Sequence, residues 1–294
     1  MGHWIAAGIG LVVVLATAWP TSSQAQARTP EVTVSQAPSE SDPNPFDSRW
    51  DFSLGARLGR PSGYIRAGEN GGRGNRLLLD EDLGVRVSEA VEAGVAFHFS
   101  PRNAIRATAL YYFLRGEGLL DRPVVFNDEV FTNPGHVSID ADFYRLGLAY
   151  ERTTTVPGGF LTGSVGLTYV HLKPELTNHG RSNSEDFSKA ELPVPIVGLR
   201  FDIPMGNGFA ARASVAGGGL PRVNSLRKEN GNTVYLEQIH GDGEFALTYA
   251  ITKSMLLDVG PHATYFFQRK KSRNDDNAFE LFDYGVRAGL TFKF

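Results

Sequence analysis

Apolar and polar residues alternate at every second position over long parts of this chain. Successive side chains of a β-strand point to opposite faces, so such alternation predicts strands with one apolar face. The clearest run ends the sequence, and others begin at Trp50, Val91 and Met255. In the last run, Tyr284, Val286, Ala288, Leu290, Phe292 and Phe294 alternate with Gly285, Arg287, Gly289, Thr291 and Lys293. Weaker copies lie near 104–115, 140–151, 160–171, 191–203, 208–219 and 235–250.

About ten strands are therefore expected, with a range of about eight to twelve, in an all-β chain. The links between them alternate in length, so antiparallel neighbours place every short link at one end of the sheet. This sorting predicts a transmembrane antiparallel up-and-down β-barrel. The short links lie at 100–103, 151–159, 204–208 and 252–254, and the long polar links at 60–87, 116–138, 172–190, 220–234 and 269–280.

Alternation alone also fits a soluble barrel with an apolar interior. Aromatic residues gather near both ends of the predicted strands, which is typical of strands that cross a bilayer. The opposite face is rich in charges, which fits a polar interior. Because about ten strands enclose little space, we expect paired charges to leave a plugged or very narrow lumen. The expected lumen charges are Arg57, Glu92, Arg106, Arg145, Arg200, Asp202, Arg212, Asp242, Glu244, Asp258, His262 and Arg287.

The final strand, with apolar residues at every second position and an aromatic terminus at Phe292 and Phe294, resembles the C-terminal strand of bacterial outer-membrane β-barrel proteins. This resemblance identifies a class and no single family. It implies a bacterial outer-membrane location and contact with outer-membrane lipid. It also implies that Phe292 and Phe294 form a signal that the barrel-assembly machinery reads.

The N-terminus carries an apolar run, Ile5 to Trp19, followed by Ala25-Gln26-Ala27. The run is shorter than the roughly 20 residues of a spanning helix, and the small-x-small triplet fits a signal-peptide cleavage site. We expect residues 1–27 to be a signal peptide, with a membrane anchor as the alternative. The segment 28–49 is rich in Pro, Ser and acidic residues and is expected to be a disordered linker. Residues 50–294 then form the barrel.

Composition limits the chemistry of the chain. There is no cysteine among the 294 residues, which excludes thiolate chemistry and Cys-based metal sites. A formal net charge of -3 gives no basis for binding nucleic acid. Neither a Walker loop, an HExxH motif nor an EF-hand loop occurs. We expect no cofactor and no metal.

Two weak catalytic candidates remain. His240 and Asp242 share a strand face, and with His262 nearby they can be arranged for metal binding or proton transfer, although a structural ion network explains them as well. His179 and Ser182 lie close together in a polar segment, where a hydrolase needs nucleophile and base in hydrogen-bond contact.

A basic run, Arg269, Lys270, Lys271 and Arg273, follows the aromatic end of a predicted strand. It fits either contact with lipopolysaccharide phosphates or a solvated charge run. The sequence thus predicts a barrel with a structural, surface-interaction or narrow-passage role. The alternatives are a hydrolase at the barrel rim that acts on lipid A or peptide, and a small-solute channel. The sequence does not identify a ligand.

Overall fold

The computed structural model describes residues 48–68, 74–131, 135–178, 181–184, 192–229, 232–273 and 275–294. The expected signal peptide, 1–27, and nearly all of the expected linker, 28–49, lie outside these residues. Among the described residues, no helix is long and apolar enough to cross a membrane.

The described secondary structure is entirely β. In chain order the strands are β1 (Trp50–Arg66), β2 (Leu77–Leu78), β3 (Ser88–Ser100), β4 (Asn103–Leu120), β5 (Val124–Phe126), β6 (Glu129–Phe131), β7 (Gly135–Val156), β8 (Gly159–Asn178), β9 (Arg181–Ser184), β10 (Val194–Gly206), β11 (Phe209–Glu229), β12 (Asn232–Thr252), β13 (Met255–Lys271) and β14 (Asp276–Lys293).

Ten of these strands form a closed ring in which every neighbour is antiparallel. The ring runs β1-β3-β4-β7-β8-β10-β11-β12-β13-β14, and β14 returns to β1. The closing pair is long, from Asp51 opposite Lys293 to Arg66 opposite Ala278. The up-and-down barrel of about ten strands is confirmed.

Tight turns join the strands at one end of the barrel, as the sequence predicted. They are centred on Pro101-Arg102, Pro157-Gly158, Asn207-Gly208 and Lys253-Ser254. At the third turn Gly206, Asn207 and Gly208 all have positive φ, at 84°, 56° and 81°. Glycine and asparagine tolerate this left-handed region, which explains their use in so short a turn.

The expectation of long polar loops at the other end is wrong for much of these segments. The strands continue through most of these segments, so β7 has 22 residues and β8 has 20. At about 3.3 Å per residue and a tilt of about 40°, a strand of this length rises about 50 Å along the barrel axis. That is roughly twice the ~25 Å apolar band of a transmembrane barrel.

The apolar residues change from the outward to the inward positions partway along these strands. Near the turns, β8 exposes apolar Val165 and Leu167 and buries polar Thr162. Beyond Tyr169 the same strand buries Leu172 completely and exposes Lys173. β4 and β7 reverse in the same way beyond Tyr111 and Tyr144. We call the part near the turns the turn half of the barrel, and the part beyond these tyrosines the loop half.

An apolar core fills the loop half. Its centre is the ring of Phe143, which lies 5.3 Å from the ring of Tyr112, 5.0 Å from Phe266 and 5.9 Å from Phe279. All four side chains are almost fully buried. The outer face of this half carries polar residues such as Lys173, which fits contact with water, and apolar residues turn inward there as they do in a soluble protein.

Residues 74–85, between β1 and β3, insert into the loop half and complete this core, and β2 among them pairs with β1 at Tyr64 and Ile65. Leu77, Leu79, Leu83 and Val85 are buried among the inward residues of the loop half. The segment passes very close to the inner face of β4, where the sequence places glycines. A Cβ on Gly118 would lie 2.0 Å from the carbonyl oxygen of Asp82, so only glycine fits.

The hairpin of β5 and β6 covers the mouth of the loop half. Phe126 and Phe131 are buried against the core, and the two-residue turn Asn127-Asp128 has positive φ at both positions, 52° and 61°. This is the hairpin turn that Asn and Asp favour. The backbone N–H of Asn127 donates to the carbonyl oxygen of Ala67 at 3.0 Å, which connects the hairpin to the residue that follows β1.

Candidate functional site

The outside of the turn half is apolar and its inside is charged. Leu54 and Val286 expose 61% and 57% of their surface, whereas the side chain of Arg287, next to Val286 in sequence, is 11% exposed and ion-paired inside. A soluble barrel would have the reverse arrangement. Lipid offers no hydrogen-bond partners, so a closed ring with this polarity is the structure that a strand protein needs to cross a bilayer.

One group of lumen charges centres on Glu92 of β3. Its carboxylate lies 2.8 Å from Arg57 of β1 and also contacts Arg287 of β14. Arg287 in turn contacts Glu244 of β12 at 2.7 Å. Two acids therefore pair with two arginines on one side of the lumen, and each pair joins strands that are one or two places apart in the ring.

A second group forms a chain of pairs along the opposite wall. Arg106 contacts Glu151 at 2.7 Å, Glu151 contacts Arg200 at 3.6 Å, and Arg200 contacts Asp202 at 3.0 Å. The chain continues through Arg212, whose guanidinium lies 2.7 Å from Asp202 and 3.3 Å from Asp258. Each carboxylate in the chain meets at least one arginine, as buried charges require.

Arg145 and Asp242 make a third, bidentate contact, with N–O distances of 2.8 and 3.0 Å. Thr264 also donates to Asp242 at 3.0 Å. The twelve expected lumen residues therefore all lie inside the barrel and all have polar partners. Between the charges of the turn half remains a cavity of about 330 Å³, lined by acids and arginines together.

At the boundary between the two halves lies a buried carboxylate that the sequence reasoning missed. Asp283 accepts hydrogen bonds from Ser88 at 2.5 Å and from Tyr112 at 3.3 Å, and His262 Nε2 lies 3.1 Å from its second oxygen. Asp283 lies in the last strand on the face opposite the apolar residues, and this position predicts that its side chain points into the lumen. Ser88 contacts the acid and not the histidine, so the cluster lacks the order of a nucleophile, base and acid relay.

His240 and His262 do not form one site. His240 stands opposite Phe266 and His262 opposite Glu244, four positions apart along the paired strands. His240 packs edge-on against the Phe266 ring, with its Nε2 3.4 Å from Gln238. In the part of the chain that the structure describes, no group of three or more metal-ligating side chains is arranged to hold a metal ion.

The second catalytic candidate is only partly visible. His179 lies outside the described residues. Ser182, in β9, is exposed and donates to the carboxylate of Glu175 on β8. A carboxylate partner of this kind fixes the hydroxyl, and the described residues give it no histidine base.

The basic run at the end of β13 is divided between two faces. Arg269 points outward and is paired with Asp276 at 3.1 Å, and Lys271 and Arg273 are exposed. The expectation of a lipopolysaccharide contact is wrong for Lys270, which is 1% exposed and lies 3.2 Å from Asp275. Alternation explains the difference, because Lys270 occupies an inward position of the strand.

The C-terminal residues close the barrel. The backbone N–H of Phe294 donates to Trp50 at 2.8 Å, and its carbonyl oxygen accepts from Trp50 at 3.0 Å. The ring of Phe294 is 70% exposed and packs at 5.9 Å, edge-on, against Phe52. Phe292 is half-buried on the same outer face.

A scan against protein-family models and a search of curated proteins find no match. Among solved structures, the chain is similar to the outer membrane protease OmpT from Escherichia coli, at 12% identity over 83% of this chain and 97% of that one, with a TM-score of 0.49. It is similar to the translocator domain of autotransporter NalP from Neisseria meningitidis, at 15% identity over 83% and 88%, with a TM-score of 0.35. A third is the transport unit of autotransporter AIDA-I from Escherichia coli, at 10% identity over 84% and 91%, with a TM-score of 0.38.

None of these proteins lends a residue role or an activity to the chain. The class follows from the geometry of the chain itself, namely a closed antiparallel ring, an apolar exterior around the turn half and paired charges within. The chain is a closed antiparallel β-barrel of ten strands with the polarity of a transmembrane barrel.

Proposed function

We propose that the chain is a non-conducting barrel of the bacterial outer membrane with a structural and surface-interaction role. Export through a cleaved signal peptide, residues 1–27, would bring it to the envelope. The short turns then face the periplasm and the loop half projects outside the cell, as is usual for this class. In that orientation the loop half presents polar outer strands to its surroundings.

The observation that supports the proposal is that side chains fill the lumen at two levels. In the loop half, Phe143, Tyr112, Phe266 and Phe279 pack into a core with the segment that follows β1. In the turn half, arginines and acids pair across the space. An ion would have to break these pairs and then cross an apolar plug, which makes passage unfavourable.

Planar-bilayer recording tests this closure. The preparation is the folded barrel, identified by its different electrophoretic mobility before and after boiling, with a porin as the positive control. We expect insertion without conductance steps. Regular unitary steps from the folded species would favour the small-solute channel and overturn the proposal.

We infer that the exposed basic residues near the end of β13 contact lipopolysaccharide. Lys271 and Arg273 are exposed beyond the aromatic outer residues of the strand, and Lys271 stands opposite Tyr235, on which Arg222 stacks at 4.4 Å. Cations next to aromatic rings match phosphates at the bilayer surface. The double variant Lys271→Gln/Arg273→Gln should retain less lipopolysaccharide on purification. Lys173→Gln, a cation on the outer face of β8, is the matched control and should retain as much as the wild type.

The remaining alternative from the sequence is a hydrolase at the barrel rim. The contacts of Ser182 do not support this alternative. Mass spectrometry of lipid A from cells with and without the protein tests the lipid version. We expect an identical acyl pattern in both. A lost acyl chain that returns with Ser182→Ala would establish the hydrolase instead.

A further inference from the structure

The barrel wall has a seam between β1 and β4, where the short β2 pairs with β1 at Tyr64 and Ile65 in place of β3. The strand between them, β3, begins only at Ser88, whereas β1 continues to Arg66 and β4 to Leu120. The chain that leads into β3 then passes close to β4 at Gly116 and Gly118 and reaches the outside at Arg86 and Val87, which are exposed. Arg86, Val87 and Glu89 therefore lie outside at the top of an otherwise apolar wall, while Ser88 between them points inward.

An apolar groove crosses the outer wall below the seam. Ala56 of β1 and Ala288 of β14 stand opposite each other and form its shallow floor, next to the larger pair Leu58 and Val286. Its volume is about 460 Å³, and it continues past Val91 of β3. The groove lies on the surface that the proposed function places against lipid.

A polar pocket of about 530 Å³ adjoins the upper end of the groove, with Glu89 and Phe113 in the walls of both. The pocket also contains Arg86 and Arg115. Arg115 is paired with Asp140 at 3.2 Å. Among the described residues, neither the Arg86 nor the Glu89 side chain has an ion-pair or hydrogen-bond partner, so the pocket lining holds one unpaired cation and one unpaired anion.

We propose that this seam binds a phospholipid with a phosphoethanolamine headgroup. The acyl chain lies in the groove, the phosphate accepts hydrogen bonds from Arg86, and the ammonium group donates to Glu89. The charges are complementary to a zwitterion, because a phosphate without an ammonium group would leave Glu89 facing an anion. Lipid A lacks that ammonium, and it is better matched by the basic surface of Lys271 and Arg273.

This inference rests on the proposed membrane embedding, and native mass spectrometry tests it. The folded barrel, checked by its heat-dependent mobility, is released from detergent with equimolar phosphatidylethanolamine, phosphatidylglycerol and lipid A. We expect phosphatidylethanolamine adducts to exceed phosphatidylglycerol adducts about tenfold, the effect of one charge-assisted contact. Arg86→Gln and Glu89→Gln should each remove this preference.

Two controls separate the headgroup contacts from general effects. Lys173→Gln and Glu237→Gln change one outer cation and one outer anion away from the pocket and should keep the preference within twofold. Ala56→Phe fills the groove and should reduce adducts of both phospholipids. Equal binding of both phospholipids, preferential binding of lipid A, or a preference that survives in both pocket variants would each overturn the inference. A chain without a heat-stable folded species would instead refute the proposed function.

Discussion

Phe143 provides the sharpest test of the apolar plug. Its side chain is 2% exposed and its ring contacts three other buried rings, at centroid distances of 5.0 to 5.9 Å. Replacing a buried Phe with Ala removes the transferred surface and leaves a cavity, at a cost of about 3–5 kcal/mol. The aromatic pairs add about 0.5–1.5 kcal/mol each when they are well packed. We therefore expect Phe143→Ala to lower the free energy of unfolding by about 4 kcal/mol.

Guanidinium unfolding of the barrel in lipid vesicles, followed by circular dichroism, measures this change. Phe143→Leu keeps most of the apolar volume and should cost less than about 1.5 kcal/mol. Lys173→Ala, on the outer face of the neighbouring strand, should stay within about 0.5 kcal/mol of the wild type. If Phe143→Ala also stayed within that margin, the loop half would not contain a packed apolar core and the plug would not exist.

Three further outcomes follow from the interior and the terminus. Glu92→Gln should destabilise the barrel by about 2 kcal/mol, which is less than the cost of breaking a fully buried ion pair because the site is partly hydrated. In a double-mutant cycle, removing one of the two arginines that Glu92 bridges should recover part of this loss. Gly59→Ala should cost over about 1 kcal/mol, since its Cβ would lie 2.3 Å from Asp283, whereas Gly243→Ala, with open space around the added carbon, should be neutral in the same denaturation assay. Phe294→Ala should reduce the yield of assembled barrel in cells while equilibrium stability changes little, because its ring is largely exposed; an unchanged yield would argue against an assembly signal.

The turn half could be predicted from sequence because its alternation is simple. In β14, Val286, Leu290 and their neighbours face lipid, and the residues between them face a polar lumen. One face of each strand meets one solvent, so a period of two identifies both the strand and its orientation. The strand number, the tight turns and the closed ring all follow from this regularity.

The loop half could not be predicted in the same way because the outer face of each strand is apolar in the turn half and polar in the loop half. Lys173 and Glu175 resemble loop residues when only the lipid-facing pattern is sought, yet they alternate with buried Leu172 and Leu176. The alternation continues in the opposite phase. A search for polar residues at the outward positions beyond the tyrosines would have extended the strands correctly.

The interior charges were identified, but their partners were not. Glu92 and Arg287 are 195 positions apart in sequence, and their contact depends on the closing register of β1 against β14. Asp283 was missed for a related reason, since its partners Ser88 and His262 come from two other strands. Alternation assigns a side chain to the lumen, whereas pairing requires the three-dimensional register.

The reversal of faces along each strand gives the two halves different responses to temperature. Hydrophobic burial from water weakens on cooling, because unfolding of such a core has a large positive heat-capacity change. The loop half, with its core around Phe143, is assembled against water, while the wall of the turn half rests on strand pairing within hydrocarbon. Cold should therefore loosen the loop half first and leave the ring of the turn half intact.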